Sequence, residues 1–334
     1  MNNSSYNNLL ISLRERPILT YLFTGIFALG LIGNCLVVAV IACQKRYRTS
    51  TYILIASMAT SDAFGCTCLI VYTTMGIILL HPNDFTLVGK EIFCDFFGVT
   101  IYASYYISTH ILVIMSVDRY FVFVKIPYQA LLYNSFRLRL AIILSWVTGL
   151  LVVLPQIYTG GIDPRFPYIC DAINGHSLTG QIYFISIVVF EEILPAIIII
   201  YAYSHVVKAI NESSATMQHS SANNMNAGNL QKRQFAVRKI IVITTLFLIL
   251  TGIVHITRLV VSLTDATVIH LYMRNENSLA SIINIFYGIA FLQPVVNPIV
   301  FCLMSKTFCQ KILRTSKEKP SMVPAISLTY VSNN

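Results

Sequence analysis

Ser116-Val117-Asp118-Arg119-Tyr120 sets an acid, a base and a tyrosine side by side, at the end of a largely apolar run from Ile107 to Met115. A basic segment, Lys125-Ile126-Pro127-Tyr128, follows. If the run crosses a membrane, Asp118 and Arg119 stand at its cytoplasmic mouth. A charge near the middle of a span costs at least about 2.5 kcal/mol, so two charges at its end suggest a paired function. The alternative for an isolated motif is a solvated helix end carrying an ordinary ion pair. The rest of the chain decides between the two.

Of the 334 residues, 56% are hydrophobic and only 11% are charged, against about 25% charged in a soluble globular protein. The excess apolar mass must face lipid. A span takes about 20 apolar residues, which leaves room for seven spans and short loops but not for a large soluble domain. The net charge of +9 does not indicate a nucleic-acid partner, because the basic residues flank apolar runs rather than forming a basic domain. The eight cysteines are scattered, without a CxxC metal pattern. The amino end, Met1 to Asn8, is polar and lacks the layout of a cleaved signal, so the first span is expected to act as the insertion signal.

The apolar runs place span one at about Ile18 to Cys43, span two at Thr51 to Leu80, span three at Ile92 to Val124 and span four at Leu138 to Thr159. Span five follows at about Gln181 to Lys208, span six at Phe235 to Leu263 and span seven at Leu279 to Met304. No barrel-like alternation is visible, so helices must satisfy these backbones in lipid. The expected fold is an all-α membrane protein, a seven-transmembrane helix bundle with a short amphipathic eighth helix. It divides into an outer tail (1–17), the bundle (18–304), the inner-leaflet helix (305–315) and a cytoplasmic tail (316–334). Lysine and arginine crowd loop one (Lys45, Arg46, Arg48), the loop after span three, the segments joining spans five and six, and the carboxyl tail. By the positive-inside rule the amino end is outside, in the plasma membrane. Asn2 and Asn3 are then glycosylation acceptors on the correct side. The Ser- and Asn-rich segment 211–229 reads as a disordered cytoplasmic loop. No internal repeat is evident, which weighs against a transporter.

One residue or pair per span now falls into order: Gly33-Asn34, Ser61-Asp62, Cys94 and Asp118-Arg119-Tyr120, the lone Trp146, Pro195 with Tyr203, and Asn297-Pro298. In this the chain resembles a rhodopsin-like (class A) G protein-coupled receptor, over about residues 18–313. The resemblance implies a receptor, not an enzyme. It would bind an extracellular ligand and activate a heterotrimeric G protein, with arrestin as a further partner and no organic cofactor. It implies that Asp118, Arg119, Tyr120 and Tyr203 receive the G protein and that Cys94 bridges to Cys170. It also implies an allosteric Na+ at Asp62 and Ser108, with Asn34, Gln293 and Asn297 around them. A protonated Asp62 bonded to Asn297 is the alternative. Pro155, Pro195 and Pro298 should bend their helices as hinges. Phe308 and Ile312, four apart, shape the inner-leaflet helix, where Cys309 is a palmitoylation candidate and a plain lipid-facing cysteine is the other reading.

The chain also departs from the family. Span six has Thr251 and Ile253 where relatives have tryptophan and proline, Phe301 replaces a tyrosine, and Arg233 replaces an acid that would face Arg119. The missing acid leads us to expect ligand-free signalling. Phe291 stands where an opsin needs its lysine, and Ile101 where an amine receptor needs an aspartate. A peptide, a lipid or another small molecule remains. Its expected pocket takes Ile101, Tyr102, Tyr105, Glu191, Glu192, His255, Arg258 and Tyr287. A buried Glu191 facing Arg258 would be either an internal pair or a site for a charged ligand. The rival readings are an odorant-type chemoreceptor, a non-signalling decoy or scaffold receptor, and a channel or transporter.

Overall fold

The computed structural model describes the backbone of residues 17–47, 49–78, 86–125, 132, 134–162, 170–172, 174–219, 224–267, 270–271, 274 and 276–304. Asn2, Asn3, Cys309 and the expected inner-leaflet helix lie outside the described residues. Seven helices are long and apolar enough to cross a membrane. Span one is Pro17–Cys43, span two Ser50–Ile78, and span three Leu87–Tyr120 with a π-turn over Phe121–Lys125. Span four is Ser135–Val153, with a further helical turn at Gln156–Thr159. Span five runs Leu178–Ile187, Val188–Ile193 and Leu194–His219. Span six is Asn224–Thr264. Span seven is Asn277–Ala290 and Gln293–Met304.

Leu22, Ile32, Ile143, Leu151, Phe190, Ile200 and Ile249 are all exposed, as expected of side chains that face lipid. Val37, Met58, Tyr106, Ile111, Phe184 and Phe247 pack the inside. The helices come close where side chains are small. At Gly33 an added Cβ would lie 2.9 Å from Pro298 of span seven, and at Gly149 it would lie 2.7 Å from Ile107 of span three. The one two-stranded sheet among the described residues pairs Gly161 with Asp171 and Ile162 with Cys170. Cys170 is disulfide-bonded to Cys94, which pins the hairpin against the amino-terminal end of span three. Cys35, Cys43, Cys66 and Cys68 are free.

Proline shapes three of the spans, each differently. Pro155 ends span four rather than bending it: the helix stops at Val153, and Leu154 reaches back only to Leu151. Pro195 has no N–H to offer the carbonyl of Glu191. The turn just before it widens into a π-helix, in which Leu194 N–H reaches Val189, a common helical response to a lost bond. In span seven the interruption lies at Phe291 and Leu292, ahead of Pro294, which cannot donate to Ala290. Pro298 then sits inside a continuing helix. It cannot donate to the carbonyl of Pro294, and the Asn34 amide does so instead, at 2.8 Å.

One expectation changes. The segment 211–229, expected as a disordered loop, is helical from 211 to 219 and from 224 to 229. Helix propagation from two long spans outweighs a composition that lacks apolar period. Asn34, expected around Asp62 and Ser108, gives its amide to the carbonyls of Gly30 and Pro294 and leaves its own side-chain oxygen unpaired.

Replacing Asn34 with leucine should leave the Pro294 carbonyl buried and unpaired, at a cost of about 1–3 kcal/mol. The purified protein should melt at a lower temperature. An unchanged melting temperature would mean that span seven does not depend on this bond.

Candidate functional site

At the carboxyl-terminal end of span three, burial of Asp118 between spans requires that its oxygens be satisfied. Oδ2 lies 3.6 Å from Arg119 Nη2, and Oδ1 accepts the Leu132 N–H at 3.1 Å. The carboxylate thus ties the loop after span three to the motif. Arg119 Nη2 also donates to the Thr51 hydroxyl of span two. Sequence reasoning missed Thr51 and Leu132, since nothing in their identity signals the contact. Tyr203 is buried near Thr244 and within electrostatic reach of Arg119. Tyr120 turns the other way and packs against Tyr201 and His205 of span five. The Arg233 side chain lies outside the described residues. Thr51 is thus a second contact of the Arg119 guanidinium, beside Asp118.

In mid-bundle, Asp62 is fully buried. Ser108 donates to its Oδ1 at 2.9 Å and Asn297 to its Oδ2 at 2.6 Å. Gln293 is buried beside the same carboxylate, with its amide atoms outside hydrogen-bond geometry. The Asn34 carbonyl oxygen is likewise buried and unpaired. Trp146 donates to Ser57 at 3.0 Å, tying span four to span two.

Higher in span five, the π-turn places two consecutive acids inside the protein. Glu191 meets His110 of span three, whose Nε2 lies 3.1 and 3.2 Å from its two oxygens. His110 Nδ1 lies 3.0 Å from the Thr148 hydroxyl of span four. Glu192 Oε2 accepts from Thr251 at 3.0 Å and lies 3.2 Å from His255 Nδ1, both on span six. The expected pair of Glu191 with Arg258 is therefore corrected: each acid takes a histidine. His110 was not anticipated, because a lone polar residue in an apolar run gives no partner away. Arg258 turns instead toward the Tyr106 hydroxyl at 3.4 Å and the Gln156 side-chain oxygen.

The outer cavity has a volume of about 320 Å³, at the small end of the range for small-molecule sites. Spans one, two, three, five, six and seven, the turn after span four and the hairpin line it. Of the expected pocket residues, Ile101, Tyr102, Arg258 and Tyr287 lie on its wall. Tyr105, Glu191, Glu192 and His255 do not. Tyr105 is buried in the cluster that holds Phe27 and Leu69, and the other three are engaged as described above. Phe23, Tyr72 and Gln156, which sequence reasoning did not single out, do line it.

The outer cavity, the buried Asp62 and the Asp118-Arg119 pair thus succeed one another along a seven-helix bundle. The family described as "7 transmembrane receptor (rhodopsin family)" matches residues 33–301. The chain belongs to that family, which is one of receptors rather than enzymes. It is 25% identical to C-C chemokine receptor 1-like protein 1 of Mus musculus over 299 residues, covering 87% of this chain and 77% of that one. It is 24% identical to the G-protein coupled receptor homolog K2 of Swinepox virus (strain Kasza), covering 84% and 72%. It is 29% identical to G-protein coupled receptor 52 of Bos taurus over 218 residues, covering 61% and 58%.

Double-mutant cycles on the stability of the purified protein should show coupling of about 0.5–3 kcal/mol between Glu191 and His110 and between Glu192 and His255. Glu191→Gln and Arg258→Gln should be additive. Coupling of Glu191 to Arg258 alone would reverse the assignment.

Proposed function

We propose that this receptor sits in the plasma membrane with its amino end outside, binds a ligand in the outer cavity, and activates a heterotrimeric G protein at its inner end. The observation that carries the reading is the disposition of Arg119. It is a guanidinium at the mouth of span three, held by one buried carboxylate and one hydroxyl. The Arg119 side chain itself keeps 22% of its surface exposed, so a docking partner can reach it. The excess of lysine and arginine on one side supports the orientation. Asp118, Arg119, Tyr120 and Tyr203 are the coupling residues, with arrestin as a second partner for the same end. The relatives' names carry chemokine binding for those proteins only.

Signalling needs the two ends to bias one pair of states. A contiguous set of contacts runs from the cavity toward the middle of span six. Arg258 touches Tyr106, whose ring stacks on His255 at 5.8 Å between centroids, and His255 meets Glu192. Glu192 closes against Gly252, where a Cβ would lie 3.2 Å from its oxygen. Span six is helical without interruption from Asn224 to Thr264. It moves as a lever in this reading rather than bending at a proline.

Sodium fits the mid-bundle cluster as an allosteric ion. Asp62 and Ser108 offer oxygens, as do the unpaired carbonyls of Asn34 and Gln293, and a hard cation takes oxygen ligands. Sodium should raise the melting temperature of the purified receptor more than an equal concentration of potassium, and Asp62→Asn should abolish the difference. Equal effects of the two ions on the wild-type protein would remove the site.

Guanine-nucleotide exchange, measured on matched amounts of receptor, tests the coupling. Arg119→Ala should reduce exchange to the level of receptor-free membranes. Thr51→Val should raise ligand-free exchange several-fold, since 1.4 kcal/mol corresponds to a factor of ten in the active fraction. Exchange unaffected by either substitution would refute the assignment.

A further inference from the structure

Arg258 is buried, with 4% of its surface exposed, and lines the outer cavity. Its guanidinium carbon lies 3.9 Å from the centre of the Tyr102 ring and 4.7 Å from that of Phe184. Its hydrogen-bond acceptors are the Tyr106 hydroxyl and the Gln156 side-chain oxygen. All four neighbours are neutral. Among the described residues, no carboxylate pairs with Arg258. The two nearest candidates from sequence, Glu191 and Glu192, are each taken by a histidine. A buried charge is costly unless paired, and the ring faces offset only part of that cost. The guanidinium fork also matches a carboxylate in two parallel hydrogen bonds.

We propose that the outer cavity takes a small organic acid, with a single carboxylate on Arg258 and an apolar body against the aromatic wall. This rests on the receptor reading above and names the ligand class for its site. Phe23, Tyr72, Tyr287 and Phe291 supply faces for the body. The Asp171 carboxylate lines the same cavity from the hairpin, where it accepts the Ala172 N–H at 2.8 Å. The rings that flank Arg258 fix the plane of its fork before the ligand arrives, which favours an acid over an uncharged isostere.

The test uses the full-length receptor in nanodiscs and two matched pairs of probes: octanoate with octanamide, and 3-phenylpropionate with 3-phenylpropanamide. The melting temperature is followed against probe concentration. In at least one pair the acid should act at a concentration roughly tenfold or more below its amide. Arg258→Gln should bring acid and amide together, and Arg258→Lys should retain part of the preference. If neither pair favours the acid, or no probe stabilises the wild-type receptor, or the preference survives Arg258→Gln, the proposal is wrong. Should the variants fail to fold, the acid–amide comparison on the wild-type chain decides. Stabilisation is read without a G protein. Acid preference without nucleotide exchange would therefore uphold this site and remove the receptor reading, and exchange without acid preference would do the reverse.

Discussion

Lipid offers no hydrogen-bond partners, so every polar group that a span carries inward must be satisfied by another part of the protein. That constraint accounts for most of the connections in this bundle. Pro298 leaves the Pro294 carbonyl without a donor, and Asn34 of span one supplies it. Asp62 cannot stay unpaired at full burial, and Ser108 and Asn297 close on it from two other spans. Trp146 needs an acceptor, and Ser57 provides one. Each such bond joins one span to another. The polar residues act as the registry marks of the fold, while the apolar surface only keeps the helices in the membrane.

The same constraint explains span five. Without an N–H at Pro195, the preceding turn widens, and two neighbouring acids point to two different helices. Glu191 fastens span five to spans three and four through His110, and Glu192 fastens it to span six through Thr251 and His255. Span six has no proline of its own. Its contact with Glu192 lies at Thr251 and Gly252, where relatives place their tryptophan-x-proline. A polar clasp between two helices therefore occupies the place of a kink within one. Arg258, on the same helix as Thr251 and His255, pairs with no carboxylate among the described residues.

Much of this was legible in the sequence. Seven apolar runs, the positive bias of their flanks and one marker residue per run point to a rhodopsin-like bundle, and the Cys94–Cys170 bridge followed from that resemblance. Partners were not legible. Both acids of span five were recognised as expensive, yet the rotation that a π-turn imposes cannot be read from spacing, so Glu191 was matched to Arg258 instead of His110. Thr51 carries no mark that distinguishes it from any threonine in a membrane helix. The composition of 211–229 suggested disorder because a helix stabilised by its continuation from a long span needs no apolar face of its own. Tyr105 was placed in the pocket by its neighbours, though it is buried in the cluster that holds Phe27 and Leu69.

The central claim is that the outer cavity and the inner end bias the same equilibrium. Gly98 lines the cavity and has open space where a Cβ would stand, so Gly98→Phe fills the cavity without touching the inner end. Guanine-nucleotide exchange by the purified wild-type and Gly98→Phe receptors, at matched amounts and over a panel of heterotrimers, tests the claim without a known ligand. The account predicts exchange rates that differ at least several-fold between the two. Equal rates from two well-folded receptors, or no exchange from either, would contradict it.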